Sequence, residues 1–277
     1  MSALLTVEDL RVTFPARQGP SEVVRGVSFT LCRERLGIVG ESGSGKSQTG
    51  RALLGLTPPP GTATAKRLAF DGIDLRSATP RQWRSLRGGR MSMVMQDPKF
   101  SLNPVMTIGR QIMEALAFHG RSSRAEKKAR ALAMLEAVQI RDPERVFRAY
   151  PHELSGGMGQ RAMIAMMLVT EPDLLIADEP TSALDVTVQI EVLRILDALV
   201  SDRGMGLIFI SHDLRLVASF CDRVLVMYAG RVVEELKASE LDRARHPYTQ
   251  GLMNCLPRID SDTRPLPTMT RDASWAV

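Results

Sequence analysis

A chain of 277 residues with 44% hydrophobic and 24% charged side chains has the make-up of a folded globular protein, which excludes a disordered segment, a collagen-like repeat and a chain embedded in a bilayer. Lys and Arg number 36 against 31 Asp and Glu; the resulting net charge of +5 is scattered rather than gathered into a stripe, and no nucleic-acid partner is inferred from it. Three cysteines without a C-x-x-C spacing, Cys32, Cys221 and Cys255, read as reduced thiols, and 15 methionines beside few aromatics suit helix-rich packing. The start of the chain carries Glu8 and Asp9 and no basic run, so no signal peptide is expected, and no apolar run approaches the length of a membrane span. Leu10, Val12 and Phe14 alternate, as do Val27, Phe29 and Leu31, which predicts two strands around a Pro/Gly-rich turn at 15–20. Leu36-Gly37-Ile38-Val39 predicts a short buried parallel strand, and a helix over 46–55 follows it until Thr57-Pro58-Pro59-Pro60-Gly61 breaks it. Residues 66–96 predict two short strands around an Arg-rich stretch. Ile108, Ile112 and Leu116, then Leu132, Leu135 and Val138, recur at helical spacing, so 105–150 reads as a helical insert. Strand and helix then alternate, with strands at 174–177, 206–210 and 224–227 and an amphipathic helix over 186–200. The segment from Pro257 is weakly patterned and predicts an extended or mobile tail.

The chemistry concentrates at two places. Gly40-Glu41-Ser42-Gly43-Ser44-Gly45-Lys46-Ser47 fits G-x-x-x-x-G-K-[ST] and lies between a predicted strand and a predicted helix. Glycines let successive N–H groups curl inward toward an anion, and the helix N-terminus adds its dipole. Lys46 can reach outer phosphates, the Ser47 hydroxyl can bind Mg²⁺, and Gln48 follows in the same turn. The second place is Leu174-Leu175-Ile176-Ala177-Asp178-Glu179-Pro180, a buried strand ending in two carboxylates. Asp178 would hold Mg²⁺ through water, and Glu179, directed elsewhere by strand alternation, would activate a water. Alone, such a pair reads more readily as a helix cap; a phosphate loop in the same chain favours catalysis.

Further motifs make the pattern specific. Leu154-Ser155-Gly156-Gly157-Met158-Gly159-Gln160-Arg161 closely resembles the signature of the ABC-transporter ATPases. Gln96 resembles that family's Q-loop glutamine, Ser182-Ala183-Leu184-Asp185 its D-loop and His212 its switch histidine, all in the family's order. The resemblance implies an α/β fold: a P-loop NTPase core with an N-terminal antiparallel β-subdomain and an inserted α-helical subdomain. It implies one ATPase domain over 1–256, with the insert at about 97–165, and a tail over 257–277. It also implies that ATP and Mg²⁺ are bound, with Ser47, Gln96 and Asp178 at the metal and Glu179, His212, Gln96 and Lys46 in catalysis. Ser155, Gly156 and Gly157 would cap ATP held by a homologous ATPase partner, and Asp185 would act across that interface. Each has a plainer reading. Ser155 is also a good helix N-cap, Gln96 and His212 also fit ordinary surface or structural roles, and Phe14 is either an adenine-stacking aromatic or a strand core residue.

Met158 stands where the commonest family signature has Gln, and this resembles the peptide and nickel importer branch. Met95-Gln96-Asp97-Pro98, Ser101-Leu102-Asn103-Pro104, Tyr150-Pro151-His152-Glu153-Leu154 and His246-Pro247-Tyr248-Thr249 resemble the same branch. The resemblance implies two transmembrane permease subunits and a periplasmic or extracellular solute-binding protein as partners. It implies a peripheral position on the cytoplasmic face of the inner membrane. Di- or oligopeptides come first as the solute, nickel or a metal chelate second, and a soluble ABC ATPase outside transport third. Many members of the branch carry a longer C-terminal tail with clustered cysteines that resembles an iron–sulfur site; with Cys255 alone in this region, no such cluster is expected.

Overall fold

The alternating apolar residues near the start pair as two antiparallel strands, β1 (Leu5–Phe14) and β2 (Ser21–Leu31), with Leu5 opposite Leu31 and Phe14 opposite Ser21. Leu5, Leu10, Val12, Val24 and Leu31 line the buried face. The register shifts between Val7 and Leu10, where Asp9 adopts a left-handed φ of 51° and bulges the strand. These strands open a computed structural model that describes residues 3–17, 19–96, 101–120, 122–182, 184–255, 272 and 275. The chain divides into two units, one of Met1–Ser77 with Ile208–Val277 and one of Ala78–Leu207.

In chain order, β3 (Arg35–Val39) leads into α1 (Lys46–Leu53), then β4 (Thr62–Thr64), β5 (Arg67–Phe70) and β6 (Ile73–Asp74). The second unit holds α2 (Pro80–Leu86), β7 (Met91–Val94), α3 (Ile108–His119), α4 (Arg124–Ala137), α5 (Pro143–Arg148), α6 (Gly156–Leu168), β8 (Leu174–Asp178) and α7 (Val186–Arg203). The division falls in β9 (Gly206–Ser211); α8 (Leu214–Phe220), β10 (Arg223–Tyr228), β11 (Arg231–Lys237) and α9 (Pro247–Asn254) complete the first unit.

In the first unit β4 and β5 both add to β1, and β6 to β5, which gives an antiparallel N-terminal sheet. Beside it β11, β10, β3 and β9 follow one another in a second sheet, β10 parallel to β3 with Val224 opposite Gly37. Val224, Leu225, Val226 and Met227 are buried, as are Leu207, Ile208, Phe209 and Ile210, because a parallel strand covered on both faces needs apolar side chains throughout. In the second unit β7 runs parallel to β8, with Met93 opposite Ile176. Most of its helices start on side-chain caps. Ser123 and Glu126 form a capping box at α4, and Asp142 accepts the Arg145 N–H ahead of Pro143 at the first position of α5. Buried Gln111 on α3 accepts the Asn103 N–H and donates to the Asn103 and Met106 carbonyls, so it fixes the chain just after Ser101-Leu102.

The predicted strands and the long helices are present. The Arg-rich stretch differs from its expectation: it contains α2, which Thr79 and Gln82 cap reciprocally with Pro80 at the first turn. β11 is a further addition, an edge strand whose charged Arg231, Glu234, Glu235 and Lys237 hide its alternation and blunt the open edge. The cysteines are free thiols, and burial, with the nearby Asp222 charge, pushes the Cys221 thiol up to about 12. Asp97, Pro98, Ala183 and the tail from 257, apart from Asp272 and Trp275, lie outside the described residues.

Candidate functional site

The first unit carries the phosphate loop. β3 delivers the chain to Gly40 at a φ of 152°, where an added Cβ would stand 2.1 Å from the Met227 carbonyl oxygen, so only glycine lets the loop lie against β10. Gly45, at a φ of 98°, precedes α1, and no side chain caps that helix N-terminus. Lys46 is 5% exposed; its Nζ donates to the carbonyls of Gly40 at 2.7 Å and Glu41 at 2.9 Å, so the cation is drawn back into its own loop. Ser42 and Gly43 are exposed at the tip, Ser44 is buried and Ser47 is half-buried. Among the described residues, the buried Oε1 of Gln48 on α1 has no hydrogen-bond partner.

His212 follows β9 and is exposed. The Ser211 hydroxyl accepts the Asp213 N–H at 3.0 Å, and the Asp213 carboxylate caps α8 by accepting from Arg215 and Leu216. Both flanks of His212 are thereby fixed, and it lines a cavity of about 390 Å³ with Gly40, Glu41, Ser42, Leu214 and Leu252. Phe14 is half-buried at the end of β1 with its ring against Gly61.

The second unit carries the carboxylates. β8 is buried from end to end and finishes at Asp178, 4% exposed. Glu179 departs from the strand-alternation reading. The strand has already ended, and a left-handed φ of 46° sets the direction of its side chain. Gln96, exposed just beyond β7, donates through Nε2 to Glu179 Oε2 at 3.2 Å. A neutral amide thus sits on the carboxylate assigned to water activation. The turn has one support that sequence reasoning missed. Gln160 on α6, 1% exposed, donates to the Pro180 carbonyl at 2.5 Å. It lies in the 154–161 stretch with no role assigned there, and its further signal is a polar residue on the inward side of an apolar helix.

Ser155 caps α6 by accepting the Met158 N–H at 3.4 Å, and Asp185 caps α7 by accepting the Val188 N–H at 3.0 Å. Both are exposed, and with Gly156 and Gly157 they line a cavity of about 960 Å³. The plain cap reading and the ligand reading of Ser155 are compatible, since its hydroxyl hydrogen is not used in the cap. The sequence-chosen residues therefore gather in three places: 40–47 with His212, Gln96 with Glu179, and Ser155, Gly156 and Gly157 with Asp185.

Residues 24–182 match the ABC transporter family. The chain belongs to that family. A probable peptide ABC transporter ATP-binding protein of Sinorhizobium fredii is 51% identical over 257 residues, 92% of this chain and 77% of the relative. The oligopeptide transport ATP-binding protein OppD of Salmonella typhimurium is 48% identical over 94% of this chain and 78% of its own. Among solved structures, a dimeric bacterial ABC transporter cassette superposes with a TM-score of 0.76 at 27% identity, covering 84% of this chain and 98% of that one. A post-hydrolysis state of the same cassette, bound to ADP and Pi, matches equally well at 26% identity. The ABC ATPase fold inferred from the motifs is therefore the fold of this chain. Among the described residues, no helix is long and apolar enough to cross a membrane.

Proposed function

We propose that this ABC protein is the ATP-hydrolysing subunit of a peptide importer, coupling ATP turnover to movement of di- or oligopeptides through partner membrane subunits. The observation that carries the reading is the hydrogen bond from Gln96 to Glu179 beside buried Asp178, in a chain that also holds a folded phosphate loop. The solute follows from relatives at 45–51% identity whose names specify peptide, oligopeptide or dipeptide transport.

In this reading the loop N–H groups and Lys46 take the phosphates. Lys46 has three donors, so it can keep the Gly40 carbonyl and turn another donor to a phosphate oxygen. The Ser47 hydroxyl, the Asp178 carboxylate and the Gln96 amide oxygen are each oxygen donors of the kind Mg²⁺ takes, and these are the residues that would hold it. Bound there, Mg²⁺ would neutralise phosphate charge. Glu179 accepts the proton of the attacking water, Gln96 orients that carboxylate, and His212 donates to the γ-phosphate.

The Ser155 hydroxyl and the Gly156 and Gly157 N–H groups at the start of α6 offer a second anion-binding surface, which fits ATP held by a homologous ATPase subunit, and Asp185 beside them would act across that interface. ATP would then join two subunits, and loss of the γ-phosphate would release them. This cycle drives two permease subunits that receive solute from an external binding protein, and it puts the chain at the cytoplasmic face of the inner membrane as a peripheral subunit. The test uses Glu179→Gln in the assembled transporter. ATP binding persists while hydrolysis and peptide uptake stop; hydrolysis at the normal rate refutes the role of Glu179.

A further inference from the structure

The His246-Pro247-Tyr248-Thr249 stretch carries a branch resemblance in the sequence but no assigned role. In the structure it reaches the phosphate loop. His246 Nδ1 accepts the Tyr248 N–H at 3.2 Å and Pro247 opens α9, which turns Tyr248 inward. Tyr248 is completely buried, and its Oη accepts the Glu41 N–H at 3.0 Å. The ring is held on two sides, by Tyr228 at 4.5 Å and Trp275 at 6.0 Å between centroids. One turn further along α9, Leu252 lines the cavity that contains Gly40, Glu41, Ser42 and His212.

The Glu41 N–H and the Gly40 C=O belong to one planar peptide unit and point in opposite directions. Lys46 Nζ holds the oxygen end at 2.7 Å and Tyr248 Oη holds the hydrogen end at 3.0 Å. A plane pinned at both ends cannot swing, so the seat of Lys46 depends on Tyr248. We propose that Tyr248 is a positioning residue for ATP: it fixes the Gly40–Glu41 peptide plane and thereby the phosphate loop and Lys46. The inference rests on the reading that this loop binds ATP.

Tyr248→Phe keeps the buried ring and removes the hydroxyl that accepts the Glu41 N–H. In the assembled transporter, KM for ATP rises by about three- to tenfold, the range of one hydrogen bond, while kcat stays within about twofold. A purely structural role would lower the unfolding temperature without this split. Lys46→Ala, measured beside it by titration with a fluorescent ATP analogue, separates two failures. If Lys46→Ala loses nucleotide and Tyr248→Phe keeps the wild-type KM, the positioning role is overturned and the loop assignment stands. If Lys46→Ala binds nucleotide normally, the loop assignment itself falls. Hydrogen exchange on the unmutated, nucleotide-free chain gives an independent check. The Glu41 amide is protected if Tyr248 holds it, and exchange at the rate of an open loop overturns the proposal even where the variant fails to fold.

Discussion

Replacing Gln160 with Leu probes how the Glu179 turn is held. The side-chain amide of Gln160 donates to the Pro180 carbonyl at 2.5 Å, and Pro180 is itself buried. Leu keeps an inward side chain of similar bulk and leaves that carbonyl without this donor. A buried acceptor stripped of its partner costs about 2 kcal/mol. For a chain of this size that lowers the unfolding temperature by about 4 to 8 °C. The kinetic effect follows from the left-handed φ of 46° at Glu179, a conformation that disfavours a non-glycine residue by about 1–2 kcal/mol. The Ser182 N–H and hydroxyl on the Glu179 carbonyl, at 3.3 and 3.2 Å, hold one side of the turn, and Gln160 holds the other. If losing Gln160 leaves the native turn disfavoured by about 1.4 kcal/mol, only about a tenth of the molecules keep Glu179 where Gln96 meets it, and kcat falls about tenfold. KM for ATP stays near its normal value, because the phosphate loop takes the nucleotide. Thermal unfolding and steady-state phosphate release from the assembled transporter measure both effects. A Gln160→Leu protein with unchanged kcat, or one that loses ATP affinity at constant kcat, refutes this account of the turn.

Gly40→Ala forces a Cβ to within 2.1 Å of the Met227 carbonyl at a φ of 152°; it lowers the melting temperature and abolishes binding of a fluorescent ATP analogue, and normal binding would contradict the close approach of loop and β10. The acid limb of stability involves Glu34. Burial works to raise its proton affinity, but the Arg223 guanidinium at 2.7 Å and the Cys32 N–H outweigh it and hold the carboxyl below its ordinary 4.5. Its stabilisation is present above that value and is lost as pH falls through the lower folded-state value, so Glu34→Gln lowers the unfolding temperature at pH 7 and converges with the parent chain in acid. Parallel melting curves at all pH values would remove Glu34 from the acid response.

The parts that were legible in the sequence are those where chemistry and backbone pattern coincide. The phosphate loop was readable because its glycines, its lysine and the flanking strand and helix lie within one short stretch, and β8 because an apolar run ends abruptly in acid. Long-range ties were not readable. Nothing in the sequence tells that Tyr248 reaches Glu41, that Gln160 reaches Pro180, or that Gln96 reaches Glu179, since each contact joins elements far apart in the chain. The cause assigned to the direction of Glu179 differs from its expectation: strand periodicity stops where the strand stops, and a left-handed turn closed by Ser182 replaces it. α2 belongs to a different class, because Thr79-Pro80 followed by Gln82 is a local capping signal that the surrounding arginines obscured. The residues given a role in the sequence supply reactive groups, and Tyr248 and Gln160, which lie in motifs that give them none, hold the backbone beneath them. Substituting the first kind removes chemistry outright, whereas substituting the second kind shifts KM or kcat alone, and that separation identifies which contacts position the site.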